Sequence, residues 1–316
     1  MDRAFTCALP HFLHTTGGAL MMSEHQEYYV PDQSKWPIIA TFGLGTTLFG
    51  AATIMVDGGQ GASTSGGWMI FAAGLSLMAY MIFGWFGSVV RESRAGLYSP
   101  QMDRSFRWGM SWFIFSEIMF FAAFFGALFY ARVFAIPWLG GEGDRGSSNM
   151  LWEGFQATWP LINTPDPSLY PAPKGVIGPW GLPLINTILL VSSSFTITVA
   201  HHALRAGNRK KLKLWLSATI VLALVFVGLQ AEEYMHAYQD LNLTLQSGIY
   251  GSTFFMLTGF HGAHVILGTV MLIVMLMRVR KGHFTADSHF GFEATAWYWH
   301  FVDAVWLVLF VFVYVI

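Results

Sequence analysis

Seven apolar runs, each long enough to cross about 30 Å of hydrocarbon at about 1.5 Å of rise per residue, constrain this chain more than any motif does. They lie at Trp36 to Val56, Trp68 to Val90, Trp108 to Phe134, Pro183 to Leu204, Leu212 to Glu232, Ile249 to Met277 and Ala294 to Ile316. In hydrocarbon every backbone group must find its partner within the segment, so runs of this length fold as helices. Several open with Trp, which belongs at headgroup depth, or with Pro, which fits a first helical turn whose N–H lacks a partner anyway. The sequence therefore predicts an all-α membrane protein with seven transmembrane helices. Composition closes the soluble alternative: only 11% of the residues are charged and 54% are hydrophobic, too few ionisable groups to cover a water-facing globule of 316 residues.

Basic residues orient the spans, because cytoplasmic loops retain Lys and Arg. Arg3 and Lys35 precede span one; Arg91, Arg94, Arg104 and Arg107 lie between spans two and three. Arg205, Arg209, Lys210, Lys211 and Lys213 lie between four and five, and Arg278, Arg280 and Lys281 follow six. Only Arg132, Arg145 and Lys174 fall on the other side, beside acidic Asp57, Glu232, Glu233 and Asp240. This places the N-terminus inside and the C-terminus outside. A formal net charge of -1 argues against nucleic-acid binding, and the single cysteine, Cys7, leaves no set of thiolates for an iron–sulfur cluster or a paired-thiolate copper centre.

Organisation follows from the spans: an N-terminal segment 1–35, a two-helix bundle 36–90, an inner loop 91–107 and a five-helix bundle 108–316 with a long outer loop 139–182 that caps it. Residues 1–20 are too short and too polar for a span and lack a signal-peptide pattern, so Met22 is read as a plausible true start.

Polar groups inside the hydrocarbon need reasons. Glu117 sits in mid-span three, where an ionised carboxylate costs about 2.5 to 3.5 kcal/mol. It is either a proton-transfer or pH-sensitive carboxyl, a contact to a partner subunit, or a protonated acid hydrogen-bonded within the bundle. His261 and His264 share a helix face, and His201 with His202 ends span four. Haem or metal ligation requires opposed histidines or three to four ligands; the small residues Gly259, Gly262, Ala263 and Gly268 favour close helix contacts that the histidines hydrogen-bond across. Glu293, His300 and Asp303 form a polar stripe on one side of the last span, with His300 and Asp303 placed to pair; the alternative is a proton relay. Arg91, Glu92 and Arg278 sit at headgroup depth, where Arg can hold a lipid phosphate or simply anchor the helix.

The stretches YYVPDQSKWP, RES at Arg91 to Ser93, GMSWFIFSEIMFF, LPLINTILLVSSSFTITVAHHALRAGNRK, LQAEEY, YGSTFFMLTGFHGAHVILG and HFGFEATAWYWHFVDAVWL closely resemble subunit III of the haem–copper cytochrome c oxidases, over about Tyr28 to Ile316. Seven spans match the cytochrome c branch. The resemblance implies a non-catalytic accessory subunit of a proton-pumping oxidase, with no catalytic residue, metal or redox cofactor of its own. Haem and copper belong to partner subunits, among them catalytic subunit I in direct contact and subunit II in the same complex. It further implies that phospholipids occupy a V-shaped cleft between helices one and two and the other five, that the subunit sustains proton uptake and protects the catalytic subunit from inactivation, and that Glu117 is the carbodiimide-reactive carboxylate. Arg91, Glu92 and Arg278 match its lipid-headgroup positions. The implied membrane is a bacterial plasma membrane, which is preferred, or the mitochondrial inner membrane. Departures are the run FFGALFYARV after Glu117, where the family has Trp and then His-Ser-Ser, the longer outer loop, and a histidine-poor N-terminal segment with His25 as its nearest candidate. The competing functions are an independent haem or copper redox enzyme and a proton-coupled transporter using Glu117.

Overall fold

The computed structural model describes residues 29–30, 33–143, 147–152 and 154–316. Arg3, Cys7, Met22, His25 and Arg145 lie outside the described residues. Among the described residues seven helices are long and apolar enough to cross a membrane. They are α1 (Trp36–Gly59), α2 (Ser65–Arg94), α3 (Pro100–Tyr130), α4 (Leu182–Arg205), α5 (Arg209–Gln239), α6 (Gly248–Arg280) and α7 (Phe290–Leu309). α3 runs on through a π-helical turn, Ala131–Ala135, into Ile136–Leu139, and α7 ends in another, Phe310–Val315. Several helices overrun the apolar segments at their basic ends, so that the connection between α2 and α3 is only residues 95–99. The chain forms two compact units, one ending at Ser99 and one spanning Pro100–Ile316.

In the first unit α1 and α2 form an antiparallel hairpin held by backbone approach. A Cβ at Gly50 would lie 2.4 Å from the Phe71 nitrogen, and one at Gly74 would lie 2.4 Å from the Thr47 nitrogen. Near the basic end the Trp36 ring fills the space a side chain at Gly84 would need, and its Nε1 donates to Ser88 Oγ at 3.3 Å. Buried residues in these two helices are four glycines and Met81, so nearly all their large side chains face outward. That distribution suits lipid, which is as apolar as a core and leaves packing of small residues to join helices. Beyond α2, Tyr98 Oη donates to Glu92 Oε2 at 2.9 Å. Burial and this carboxylate raise the phenol well above its ordinary 10.0.

In the second unit the core lies among α4, α5, α6 and α7. Trp299 and Trp306 are fully buried there, and each indole finds a hydroxyl on α4: Trp299 Nε1 donates to Ser193 Oγ at 2.8 Å and Trp306 Nε1 to Thr187 Oγ1 at 3.0 Å. A Cβ at Gly268 would meet the Trp299 ring at 2.9 Å, so the small-residue contact expected on α6 exists at this position. Gly262 faces open space and Ala263 is exposed, which removes them from that contact. α3 buries only Met102, Phe121 and Leu128 and borders the core. The 139–182 connection packs onto the acidic helix ends: Leu161 and Ile177 join the core, Arg132 lies 5.9 Å from the Trp159 ring, and Lys174 N donates to Leu241 O at 2.7 Å. The i→i+5 winding after Leu309 returns Tyr314 to the buried side of α7, where its hydroxyl donates to Glu233 Oε1 at 2.7 Å.

Gly74→Ala should force α1 and α2 apart and cost about 1 to 3 kcal/mol, as overpacking does. Gly45, with nothing within 4 Å of a built Cβ, supplies the control: Gly45→Ala should leave thermal unfolding of the detergent-solubilised protein unchanged or slightly raised. Tyr98→Phe removes a partly solvated hydrogen bond worth about 1 kcal/mol or less. Because the folded phenol titrates above the unfolded one, that contribution is complete below pH 10.0 and is lost as pH rises through the folded value. The stability gap between wild type and Tyr98→Phe should therefore be constant to about that pH and close in more alkaline buffer.

Candidate functional site

Glu117 projects from α3 and meets His264 of α6, with Oε2 2.9 Å from Nε2. The other ring nitrogen, Nδ1, lies 2.6 Å from the Phe260 carbonyl one turn back on its own helix. A carbonyl only accepts, so Nδ1 carries a hydrogen, and Nε2 then either accepts from a protonated Glu117 or, in an imidazolium, donates to its carboxylate. Either way one proton lies in the Glu117–His264 contact. Phe121, Phe120 and Tyr298 surround the imidazole at centroid distances of 5.0, 5.9 and 6.4 Å. The side chains keep 21% and 16% exposure, which leaves the carboxyl reachable from the bundle's surface. The contact gives Glu117 a partner within the bundle, and that partner is one of the histidines placed at the helix contact.

The polar stripe on α7 divides between two neighbours. Glu293 Oε2 accepts from Arg107 Nη2 of α3 at 2.9 Å, and the same guanidinium pairs with Asp103 and lies 5.8 Å from the Phe290 ring. His300 turns instead to α4, with Nδ1 3.1 Å from Ser194 Oγ and Nε2 3.3 Å from Thr198 Oγ1. Asp303 Oδ1 has no hydrogen-bond partner among the described residues. Among the described residues no hydrogen bond or ion pair joins His300 to Asp303; the His300 ring meets hydroxyls that α4 brings against this edge of α7. An apolar groove of about 730 Å³ runs along α3 and α7, with Phe121, Phe125 and Trp297 among its walls and His300 at its edge.

The remaining histidines do not act alike. His261 is buried against Trp306 and Phe226, at 5.1 and 6.0 Å, and neither ring nitrogen has a hydrogen-bond partner among the described residues, in contrast to the bond expected across the contact. Aromatic faces occupy the positions where a hydroxyl would have served it. His201 packs edge to face with His289 at 5.4 Å and beside Phe292, whereas His202 is exposed. Among the described residues no group of three or more His, Cys, Asp or Glu side chains is arranged to hold a metal ion.

At the basic ends, Arg91 is exposed and donates to Ser88 Oγ at 2.9 Å, while Glu92 takes the Tyr98 hydrogen bond. Arg278 is half-buried, stacked 4.3 Å from the Phe284 ring, and Gly291 leaves it room, since a Cβ there would come within 2.8 Å of its Nη1. No carboxylate pairs with Arg278 among the described residues, and its Nε has no partner. A cation held this way offers its remaining N–H groups to an anion from outside.

Two features escaped the sequence reading. Arg107, counted only as a basic loop residue, ties α3 to α7. Glu233, counted as an acidic loop marker, is 1% exposed and bonded to Gln230 and Tyr314. The i, i+3 spacing of Gln230 and Glu233 was the available signal.

The profile of the family described as cytochrome c oxidase subunit III matches residues 25–145 and 149–316. The cytochrome c oxidase subunit 3 of Marchantia polymorpha is 40% identical over 298 residues, covering 93% of this chain and 98% of that relative. The protein of the same description from Arabidopsis thaliana is 40% identical over the same shares. That of Osphranter robustus is 38% identical over 297 residues, again 93% and 98%. With near-complete coverage from both directions and seven spanning helices, this chain belongs to the cytochrome c oxidase subunit III family.

Proposed function

We propose that this protein is the non-catalytic accessory subunit of a proton-pumping cytochrome c oxidase, supporting the assembly and stability of the complex, binding lipid and sustaining proton uptake by the catalytic subunit while oxygen is reduced to water. The observation that carries the reading is the similarity along almost the whole chain to proteins named cytochrome c oxidase subunit 3. Subunit I would be its direct partner and subunit II would share the complex, with haem and copper held by those partners. It works in a respiratory membrane, the bacterial plasma membrane or the mitochondrial inner membrane. A proton-coupled transporter using Glu117 is less favoured, because the relatives carry oxidase names.

Two features of the chain fit this role. Arg278, without a carboxylate partner among the described residues, and exposed Arg91 suit phospholipid phosphates at the basic helix ends, with Glu92 fixed beside Arg91 by Tyr98. Glu117, about one-fifth exposed and sharing a proton with His264, suits the carbodiimide-reactive carboxyl. A carbodiimide needs an acid oxygen to attack its central carbon and a proton for its nitrogen, and this contact holds both. Glu293, His300 and Asp303 act in assembly by fixing α7 to α3 and α4.

Purifying a tagged form of the chain under gentle solubilisation should recover a partner with a-type haem and copper; recovery of the chain alone, with no oxidase activity, would refute the subunit reading. In the same preparation Arg91→Ala with Arg278→Ala should lower the bound phospholipid and shorten catalytic lifetime, each charge-assisted contact contributing about 1.5 to 3 kcal/mol before solvent competition. Unchanged lipid content would remove the headgroup assignment. A hydrophobic carbodiimide should label Glu117 in the wild type and not in Glu117→Gln, whose initial oxygen reduction should stay largely intact. Complete loss of initial turnover in a fully assembled Glu117→Gln complex would place the carboxyl in the catalytic cycle.

A further inference from the structure

Deep in the second unit three side chains hand hydrogen bonds to one another in a single direction. Asn186 Nδ2 of α4 donates to Gln230 Oε1 of α5 at 3.2 Å, and Gln230 Nε2 donates to Glu233 Oε1 at 3.1 Å. Tyr314, delivered by the π turn at the end of α7, donates to the same Glu233 oxygen at 2.7 Å. Asn186, Gln230 and Glu233 are 0%, 7% and 1% exposed, so water outside the protein does not reach them. Among the described residues this run of bonds leaves two buried atoms without partners, Asn186 Oδ1 at its start and Glu233 Oε2 at its end.

Those two loose ends are complementary under one condition. An amide oxygen can only accept, and an ionised carboxylate oxygen can only accept, so with Glu233 charged the core would hold two acceptors and no donor for either. A proton on Oε2 turns that end into a donor. In the arrangement found, Gln230 turns its amide nitrogen toward Glu233 Oε1 and its oxygen toward the Asn186 nitrogen, so the missing donor falls on Oε2. Charge balance agrees, since among the described residues no Lys or Arg forms an ion pair with Glu233. The titratable groups facing it are Tyr314 of α7, Tyr250 of α6, and Tyr234 and His236 of its own helix, and His236 is engaged by Asp240 at 2.7 Å. α4 contributes the amide of Asn186. A bare buried carboxylate without a cation is among the most costly arrangements a core can hold.

We propose that Glu233 is a proton-binding site inside the helix bundle, carrying a hydrogen on Oε2 that it donates to Asn186 Oδ1, directly or through one buried water, so that Asn186, Gln230 and Glu233 close a circuit fastening α4 to α5 while Tyr314 ties it to α7. The proton is then a removable structural part. This goes beyond the role as an oxidase subunit and does not depend on it.

The test is infrared difference spectroscopy on the gently solubilised protein, with whatever partners it retains, comparing wild type with Glu233→Gln at neutral pH. Wild type minus variant should show one carboxylic-acid C=O band and no carboxylate bands, and the acid band should shift in Asn186→Ala, which removes the acceptor. Carboxylate bands in that difference, or an acid band indifferent to Asn186→Ala, would overturn the proposal. Glu233→Gln puts a fixed N–H where the proton sits, so it should assemble and melt with the wild type at neutral pH and resist alkaline destabilisation that the wild type suffers. Glu233→Leu should melt lower. If Glu233→Gln melted as low as Glu233→Leu, the amide would not be replacing a protonated acid and the circuit would be wrong.

Discussion

Hydrocarbon supplies no hydrogen bonds, and the second unit is organised around that fact. Polar side chains facing inward draw on partners within the protein, and several of those partners stand on a neighbouring helix. Trp299 with Ser193 and Trp306 with Thr187 fasten α7 to α4, Thr196 with Thr219 joins α4 to α5 at 2.8 Å, and Tyr234 with Thr258 joins α5 to α6 at 2.7 Å. Such contacts average only about 0.6 kcal/mol each in membrane proteins, so their value lies in register: a helix slid by one residue would strand several of them together. The stabilising bulk comes from the burial of Trp299, Trp306, Phe226 and Phe254, with Phe226 and Trp306 edge to face at 5.0 Å.

The first unit meets the same condition by having almost nothing polar to satisfy. Its threonines and serines return their hydrogens to their own helix, as Thr47 does to Gly43 O at 2.8 Å and Ser76 to Ala72 O at 2.8 Å. Apart from the Trp36 to Ser88 bond near the basic end, contact between α1 and α2 depends on glycines that let the backbones meet. Outward-facing Phe42, Phe49, Phe83 and Phe86 are the corollary, a surface suited to acyl chains on an accessory subunit whose proposed work includes holding lipid.

Length and hydropathy alone placed all seven helices, because a spanning run leaves no alternative fold. The interior was far less legible. Glu117 stood out as costly, yet its partner His264 is 147 residues away, and spacing along one helix carries no information about a contact of that range. The α7 stripe was visible as a pattern, but not that Arg107 would take Glu293 while His300 would turn to Ser194 and Thr198. Glu233 was assigned to water because the apolar run ends at Glu232, although the helix continues to Gln239 and the core extends with it. In a soluble protein the apolar side of a helix is the inner side. Here the lipid-facing side is equally apolar, and that cue is missing for α1 through α3 in particular.

The widened winding that closes α7 makes the number of residues in that segment matter independently of their identity. Tyr314 reaches the interior because one extra residue is accommodated per turn between Phe310 and Val315. Removing any single residue there would let the helix revert to ordinary winding and swing everything beyond it by about 100°, carrying the phenol from the protein's interior toward lipid. Conservative exchanges among Phe310, Val311, Phe312 and Val313 would be absorbed, since the surroundings ask only for apolar bulk. A change of length would not, and so relatives of this protein that keep a tyrosine here should also keep its distance from the buried tryptophan.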